Sequence, residues 1–251
     1  MSGHSKWANV KHKKGRADAQ KGKIFTKLAR EIMVAAREGG DNIDQNFRLR
    51  LAVQKARENN LPSDNITRAI QKGAGGSEET ALEQMNYEGY GPGGIAVLIE
   101  IMTDNRNRTA PEIRHIFSRR GGNMGESGCV SWMFKRKGYF TLEKQSHLPP
   151  EDELMTLALD SGAEDFNEED NTYVITTAPE DFETMRNAFQ EKGIEFTSAE
   201  VTMAPENTIR IENAEEAAKL LRLLEALEDH DDVQNVYANF DISEEVMNSL
   251  Q

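Results

Sequence analysis

A strand–helix–strand pattern recurs about three times between residues 80 and 243, and it constrains the fold of this chain more than any other feature. Short apolar runs such as residues 95–102 and 171–177 have the composition of strands. Between such runs lie segments whose apolar residues recur every three or four positions, as in a helix with one buried side. Repeats of this size are typical of small α+β sandwiches of the ferredoxin-like type. The pattern therefore predicts an α+β chain that contains two such domains.

The order of the repeats predicts that one domain interrupts the other. Pro205 and the basic run at residues 135–137 are natural points for the chain to cross between domains. We expect residues 80–134 and 206–251 to build one discontinuous α+β domain. Residues 135–205 are then a second, acidic α+β domain inserted in the first.

Residues 1–79 have a different pattern, which predicts an extended arm followed by a three-helix domain. Helical apolar spacing is found in residues 18–37 and 44–59, and a shorter helix is predicted after Pro62. Glycines at residues 73–76 indicate a flexible linker to the rest of the chain.

Positive charge is concentrated at the amino terminus of an otherwise acidic protein. The first thirty residues contain nine lysines and arginines and a single aspartate, although the whole chain has a net charge of -13. The net charge is +9 over residues 1–72, zero over residues 73–140 and -22 over residues 141–251. This reversal indicates a surface for a polyanion, of which nucleic acid is the commonest. A basic terminus can also be a merely solvated arm, and that alternative stays open.

The candidate nucleic-acid-binding residues form two groups. The first group lies in the arm and the first helix and comprises Lys6, Trp7, Lys11, His12, Lys13, Lys14, Arg16, Lys21, Lys23, Lys27 and Arg30. Within it, Trp7 can either stack on a base or pack on the first helix. The second group is Arg106, Arg108 and Arg114, whose forked guanidinium groups suit bidentate phosphate contacts. The alternative for the second group is that Asp104 and Asn105 cap a helix and the arginines pair with the acidic carboxyl-terminal half.

Residue patterns for catalysis or metal binding are weak throughout the sequence. Cys129 is the single cysteine, which excludes an intrachain disulfide and a multi-cysteine zinc site, and we expect it to be buried in a strand; a strand is also predicted at residues 130–134. The glycine-rich segment at residues 121–128 is interpreted as a helix cap and turn, because it leads from a helix into a strand. The acids at residues 168–170 and 229–232 are interpreted as solvated turns. We therefore predict no cofactor, no metal and no enzymatic activity, and an enzyme of unspecified type is the least favoured alternative.

The expected compartment is the cytoplasm. No apolar run approaches the roughly 20 residues of a membrane-spanning helix, and the basic start is not followed by the apolar segment of a secretory signal. We expect no membrane contact. The acidic carboxyl-terminal half is expected to limit non-specific wrapping of nucleic acid and to offer a surface to a protein partner.

Five motifs carry a resemblance to a known family. They are GHSKWANVKH at residues 3–12, GKIFTK at 22–27, YEGYGPGG at 87–94, TDNRNRT at 103–109 and DDVQNVY at 231–237. Together, and in this order, they resemble the YebC/PmpR family along essentially the full chain. The resemblance implies an amino-terminal helical domain followed by two α+β domains.

The resemblance also implies a non-enzymatic regulator of gene expression. Bacterial members of the family are commonly described as probable transcriptional regulators that bind DNA. Related mitochondrial members, and some bacterial ones, are described as translational activators at the ribosome. We therefore expect a DNA-binding transcriptional regulator, with a ribosome- or RNA-associated translation factor as the alternative.

Overall fold

The computed structural model describes residues 18–75, 82–145, 148–169, 171–243 and Val246. In this part of the chain, three helices precede a mixture of strands and helices. In chain order the elements are α1 (Asp18–Gly39), α2 (Phe47–Glu58), α3 (Ser63–Ala74), β1 (Glu83–Tyr90), β2 (Ala96–Thr103), α4 (Arg106–Arg119), β3 (Asn123–Met124), β4 (Phe134–Glu143), α5 (Glu151–Asp160), β5 (Ala163–Glu169), β6 (Thr172–Thr177), α6 (Phe182–Glu191), β7 (Ser198–Pro205), β8 (Ile209–Ile211), α7 (Ala214–Glu228), β9 (Val233–Ala238) and β10 (Phe240–Ile242).

The three amino-terminal helices pack around one small apolar core. Leu28 and Ile32 of α1 meet Leu49 and Val53 of α2 and Ile66 of α3, as the helical spacing of the sequence predicts. The glycine pair at residues 39–40 ends α1 as predicted. Gly40 is in the left-handed region, and its amide donates to the carbonyl oxygen of Ala36.

Gly73 corrects the predicted linker. It lies inside α3 and is buried, so the helix continues to Ala74 where the sequence had indicated a flexible exit. A Cβ atom at Gly73 would lie 2.3 Å from the carbonyl oxygen of Met33 and 2.9 Å from Cβ of Ala36. The glycine is therefore needed for the close approach of α3 to α1.

Replacing Gly73 by alanine is expected to lower the free energy of unfolding by about 2–3 kcal/mol, because the backbone of α1 cannot move away without disturbing the core. Gly22→Ala is the matched control, since Gly22 lies in α1 with no atom within 4 Å of an added Cβ. The control should gain about 0.5–1 kcal/mol from helix propensity. Urea unfolding of both variants provides the measurement, and equal stabilities would contradict the close packing of these helices.

Two antiparallel four-stranded sheets follow the helices. The first has the order β3-β1-β2-β9, and α4 and α7 cover one of its faces. The second has the order β5-β6-β4-β7, with α5 and α6 packed on its core. Strands β8 and β10 form a separate parallel pair.

The second sheet has ferredoxin-like connectivity, because its elements follow one another as β4-α5-β5-β6-α6-β7. The first sheet is also covered by helices on one face, so it has the same two-layer architecture. Its connectivity differs, because its first two strands, β1 and β2, form an antiparallel hairpin. The chain is thus an α+β protein with three leading helices, as the sequence predicts. The domain boundaries proposed from the sequence stay a prediction.

Two local predictions are wrong. Residues 130–134 are not a strand, because Ser131–Met133 form a 3-10 turn and β4 begins only at Phe134. The acids Glu168 and Glu169 lie in β5, a strand that was missed because its sequence is mostly charged. The basic run at residues 135–137 lies near the start of β4, the first strand of the second sheet along the chain, and its role as a crossing point stays a prediction.

The helices also contact the second sheet's layer. Leu51 of α2 packs against its apolar core. Lys55 Nζ lies 3.5 Å from Glu200 Oε2, and Arg50 Nε lies 3.9 Å from Glu183 Oε2. Basic residues of the helical region therefore meet acidic residues of the carboxyl-terminal half within the fold.

Candidate nucleic-acid interface

Half of the candidate binding residues lie outside the described residues. These are Lys6, Trp7, Lys11, His12, Lys13, Lys14 and Arg16. The other half, from Lys21 onward, can be located, and their binding roles stay predictions.

The basic residues of α1 face the end of α7. Lys23 Nζ donates to the carbonyl oxygen of Asp229 at 2.9 Å, and Lys27 Nζ donates to that of Glu228 at 2.5 Å. Arg30 Nη1 donates to the carbonyl oxygen of Asp231 at 2.7 Å. Because these side chains are spaced by four and then three residues, they lie on one side of α1, away from the stripe that enters the helical core.

This contact supplies the carboxyl end of α7 with positive charge that the last turn of the helix lacks. A helix carries a partial negative charge at its carboxyl end, where its last carbonyl groups have no partners within the helix. The last turn of α7 contains no basic residue, and its final residue is Glu228. Lys23 and Lys27 therefore cap α7 from another part of the chain.

Asp232 lies at the centre of a buried polar cluster beside this contact. It is 2% exposed. Its Oδ1 accepts from Arg30 Nη1 at 3.1 Å, and its Oδ2 accepts from Arg108 Nη2 at 2.7 Å. The same Oδ2 accepts from the hydroxyl groups of Thr109 at 2.8 Å and Thr103 at 3.2 Å. One carboxylate thus joins α1, α4 and the end of β2.

The pKa of Asp232 is lowered from its ordinary value of 3.8. Burial alone raises this pKa, but the hydrogen bonds from Arg108 and Thr109, together with the charge of Arg108, outweigh it. Because the folded pKa is depressed, this group stabilises the fold above its unfolded pKa. That contribution is lost as the pH falls below about 4 and through the folded pKa.

The buried position of Asp232 corrects the interpretation of residues 229–232 as a solvated turn. Asp229 and Asp231 are exposed, as predicted, but Asp232 is buried. No charge pattern distinguishes the three aspartates. The signal in the sequence is that Asp232 directly precedes the buried strand β9, within the DDVQNVY motif.

The arginines of the second group make different contacts within the fold, and their binding roles stay predictions. Asn105 caps α4 by accepting from the backbone N–H of Arg108 at 3.1 Å, and Arg108 pairs with Asp104 at 3.0 Å as well as with Asp232. Arg108 therefore has the intramolecular role. Arg106 and Arg114 are exposed, and so is Lys21 of the first group.

Arg106 and Arg114 lie on the side of the first sheet that carries Tyr87. Burial raises the pKa of the Tyr87 hydroxyl, and the charges of these two arginines partly oppose that shift. Such an effect requires the two guanidinium groups to lie near the same point of the surface. They form a small basic patch at the rim of α4 and β1.

His230 completes the contact between α4 and the segment after α7. Its Nδ1 accepts from the backbone N–H of Asp232 at 3.1 Å, and its Nε2 lies 2.9 Å from Glu112 Oε2. The first hydrogen bond requires a lone pair on Nδ1, so the proton is on Nε2, which donates to Glu112. The histidine thus has a structural role here.

The glycine-rich segment is built around the buried carboxylate of Glu88. Its oxygens accept from the backbone N–H groups of Gly128 at 2.8 Å, Val130 at 2.7 Å and Ser131 at 2.8 Å. Burial raises the pKa of Glu88, but these hydrogen bonds outweigh it, and the net pKa is lowered. The N–H groups that could have held a phosphate are therefore occupied by a carboxylate of the chain itself.

Cys129 directly follows this segment; it is half-buried and does not lie in a strand. Burial raises the pKa of its thiol, and the negative charge of Glu88 adds to the shift, which is the opposite of what a nucleophilic cysteine requires. Its carbonyl oxygen accepts from Tyr90 Oη at 3.1 Å and from Trp132 Nε1 at 3.2 Å. Trp132 is 67% exposed and is held in place by this bond.

The described residues contain no cluster of three or more histidine, cysteine, aspartate or glutamate side chains placed to hold a metal ion. Among the same residues, no helix is both long and apolar enough to cross a membrane.

Two family models match consecutive parts of the chain. The model of the TACO1/YebC protein N-terminal domain matches residues 5–76, and that of the TACO1/YebC second and third domain matches residues 82–240. This chain therefore belongs to the TACO1/YebC family, which confirms the resemblance found in its motifs.

Known proteins with similar sequences cover nearly the whole chain. A "probable transcriptional regulatory protein" of Desulfitobacterium hafniense is 56% identical over 246 residues, which are 98% of each chain. One of the same description from Pelotomaculum thermopropionicum is 57% identical over 244 residues, covering 97% of this chain and all of the other. The crystal structure of a conserved hypothetical protein from Aquifex aeolicus superposes with a TM-score of 0.81 at 47% identity, covering 95% of this chain and 97% of that one.

Proposed function

We propose that this protein is a non-enzymatic, DNA-binding regulator of transcription that acts in the cytoplasm. The observation that carries the proposal is the charge of the first thirty residues, nine lysines and arginines against one aspartate in a chain of net charge -13. A segment of this kind neutralises phosphates, releases counterions and binds with strong salt dependence. The regulatory part of the proposal is supported by relatives that are described as probable transcriptional regulatory proteins.

The arm supplies most of the binding in this proposal. Its charged residues precede α1, whose apolar side packs in the core of the helical domain. Lys21 and the exposed Arg106 and Arg114 add further contacts to the phosphate backbone. No base-reading set of side chains is assigned, so the affinity rests on phosphate contacts that position the protein.

The acidic carboxyl-terminal half limits the contact to one side of the molecule. Residues 141–251 carry a net charge of -22, which repels phosphates that approach from that side. We propose that this half leaves a surface free for a protein partner while the basic side holds nucleic acid.

Neutralising Lys11, Lys13 and Lys14 together by alanine is expected to weaken binding to duplex DNA and to reduce its salt dependence. Three fewer neutralised phosphates should lower the slope of log K against log salt concentration by about 2.7. Fluorescence anisotropy of a labelled duplex, at a series of salt concentrations, measures this slope. The control is the triple variant of Lys192, Lys219 and Arg222, which removes the same charge from exposed sites elsewhere.

An unchanged slope in the arm variant, or an equal loss in the control, would remove the arm from the interface. The same titration with a ribosomal RNA hairpin tests the translational alternative, for which the names of the relatives give no support. A clear preference for that RNA over every duplex would favour the translation factor instead.

A further inference from the structure

One side of α1 already binds anionic groups of the protein itself. Lys23, Lys27 and Arg30 each donate to a carbonyl oxygen in the segment from Glu228 to Asp231. Arg30 also donates a hydrogen bond to the carboxylate of Asp232. These cations also belong to the group that the sequence analysis assigns to phosphate binding.

The segment that accepts these hydrogen bonds has the same chemical character as a phosphate backbone, because it presents a row of oxygen acceptors with negative charge. The end of α7 offers carbonyl oxygens that accept hydrogen bonds from outside the helix, together with the negative end of a helix dipole. Three aspartates follow within four residues, at Asp229, Asp231 and Asp232. The segment 228–232 therefore resembles a short polyanion placed against the basic side of α1.

We propose that segment 228–232 is an autoinhibitory latch, which covers the basic side of α1 and is displaced by nucleic acid. The proposal rests on the proposed function, because it concerns the regulation of the same binding surface. In the closed state the arm alone is available for phosphates. In the open state Lys23 and Lys27 extend the basic surface along α1.

The contacts of the latch are graded from its outer to its inner end. The Lys23 side chain is 47% exposed, and the Asp231 carboxylate that lies 4.0 Å away is 72% exposed. The Arg30 side chain is only 20% exposed, and its partner Asp232 is 3% exposed. Exposed pairs are weak and screened by salt, whereas a buried pair is costly to separate. In the proposed opening, the exposed contacts of Lys23 separate first, whereas the buried ion pair between Arg30 and Asp232 stays intact.

The outer end of the latch is also the end nearest the arm. Lys23 lies in the second turn of α1, which begins at Asp18, directly after the arm. A duplex held by the arm thus reaches Lys23 first and Lys27 next. Its phosphates replace a carbonyl acceptor of the exposed Lys23 first and that of the half-buried Lys27 next. The contact of Lys23 contributes little to stability, so the exchange begins without unfolding of either helix.

The latch is tested by removing its exposed carboxylates while every cation and every backbone carbonyl is retained. In Asp229→Asn/Asp231→Asn, two exposed acids are removed from the latch. Asp152→Asn/Asp160→Asn removes two exposed acids from the inserted region and controls for the general gain in affinity that follows any loss of negative charge. Both variants are compared with the wild-type full-length chain for binding to a labelled duplex at low salt.

We expect the latch variant to bind about three- to tenfold more tightly than the control variant, since opening no longer separates Lys23 from Asp231 and the local negative field is weaker. Hydrogen–deuterium exchange of the wild-type protein gives an independent readout. Adding the duplex should increase exchange of the amides in residues 225–232, because Lys23 and Lys27 no longer hold that end of α7.

Equal affinities of the two variants, with no change of exchange at residues 225–232, would overturn the latch and leave the proposed function standing. If neither the wild-type chain nor the latch variant binds the duplex, both proposals fall together. The wild-type titration distinguishes these two results.

Discussion

Replacing Asp232 by asparagine is expected to lower the free energy of unfolding by about 2–4 kcal/mol. The substitution keeps the shape of the side chain but places an uncharged amide against Arg30 and Arg108, and at least one of its N–H groups then faces another donor. Leaving buried or half-buried donors without an anionic acceptor costs more than the loss of an ordinary hydrogen bond. Urea unfolding of the purified variant measures the change.

The pH dependence of the same variant provides a second test. In the wild-type protein the depressed pKa of Asp232 makes stability fall as the pH drops below about 4. Asp232→Asn removes a titrating group, so its stability curve should be flatter in that range. Asp231→Asn is the control and should change stability by less than about 0.5 kcal/mol, because the carboxylate of Asp231 is exposed. Equal losses for the two variants would contradict the buried cluster.

Replacing Glu88 by glutamine is expected to release the segment that it organises, at a cost of about 2–3 kcal/mol in the free energy of unfolding. Three backbone N–H groups share the two carboxylate oxygens of Glu88, and the amide of glutamine can accept with one oxygen only. Cys129 reports the local effect. Removing the charge of Glu88 lowers the pKa of the thiol and opens the loop, so a thiol reagent at neutral pH should react severalfold faster.

Glu126→Gln is the matched control for this prediction. Glu126 lies in the same segment and is exposed. The control should leave the stability within about 0.5 kcal/mol of the wild type, as for most surface substitutions. Equal thiol reactivity in Glu88→Gln and Glu126→Gln would show that the carboxylate of Glu88 does not hold the loop.

Much of the fold follows from local patterns in the sequence. The stripe of Ile24, Leu28 and Ile32 predicts α1 because helical spacing places these residues on one side, and that side enters the core. The end of α1 and the cap of α4 by Asn105 follow from the conformational freedom of glycine and the short acceptor of asparagine. These predictions succeed because their physical cause is contained in a few adjacent residues.

The structural features that the sequence did not predict depend on contacts between residues that are far apart in the sequence. Strand β5 has mostly charged residues, and its place is fixed by pairing with β6 rather than by an apolar pattern. Gly73 looks like part of a flexible linker until α3 is placed against Met33. The roles of Asp232 and Glu88 depend on partners about 40 to 200 residues away.

The charge distribution of the whole chain shows the same limit of sequence-based prediction, because the sequence does not show which charged residues pair within the fold. From the sequence, the contrast between a basic amino-terminal region and an acidic carboxyl-terminal half indicates binding to a polyanion. In the structure, part of that contrast holds the molecule together, as in the pairs Lys55–Glu200 and Arg30–Asp232. Basic residues that pair with acids of the same chain need not bind an external ligand. The proposed function therefore rests mainly on the basic residues of the arm.

The most direct test of the account is ultraviolet crosslinking of the protein to nucleic acid in living cells. The protein is purified under denaturing conditions, and the attached nucleic acid is digested with DNase or RNase in parallel. The account predicts a covalent adduct that is lost on DNase treatment and that maps to peptides within residues 1–30. An adduct that resists DNase and is lost on RNase treatment would contradict DNA binding and favour the translational alternative.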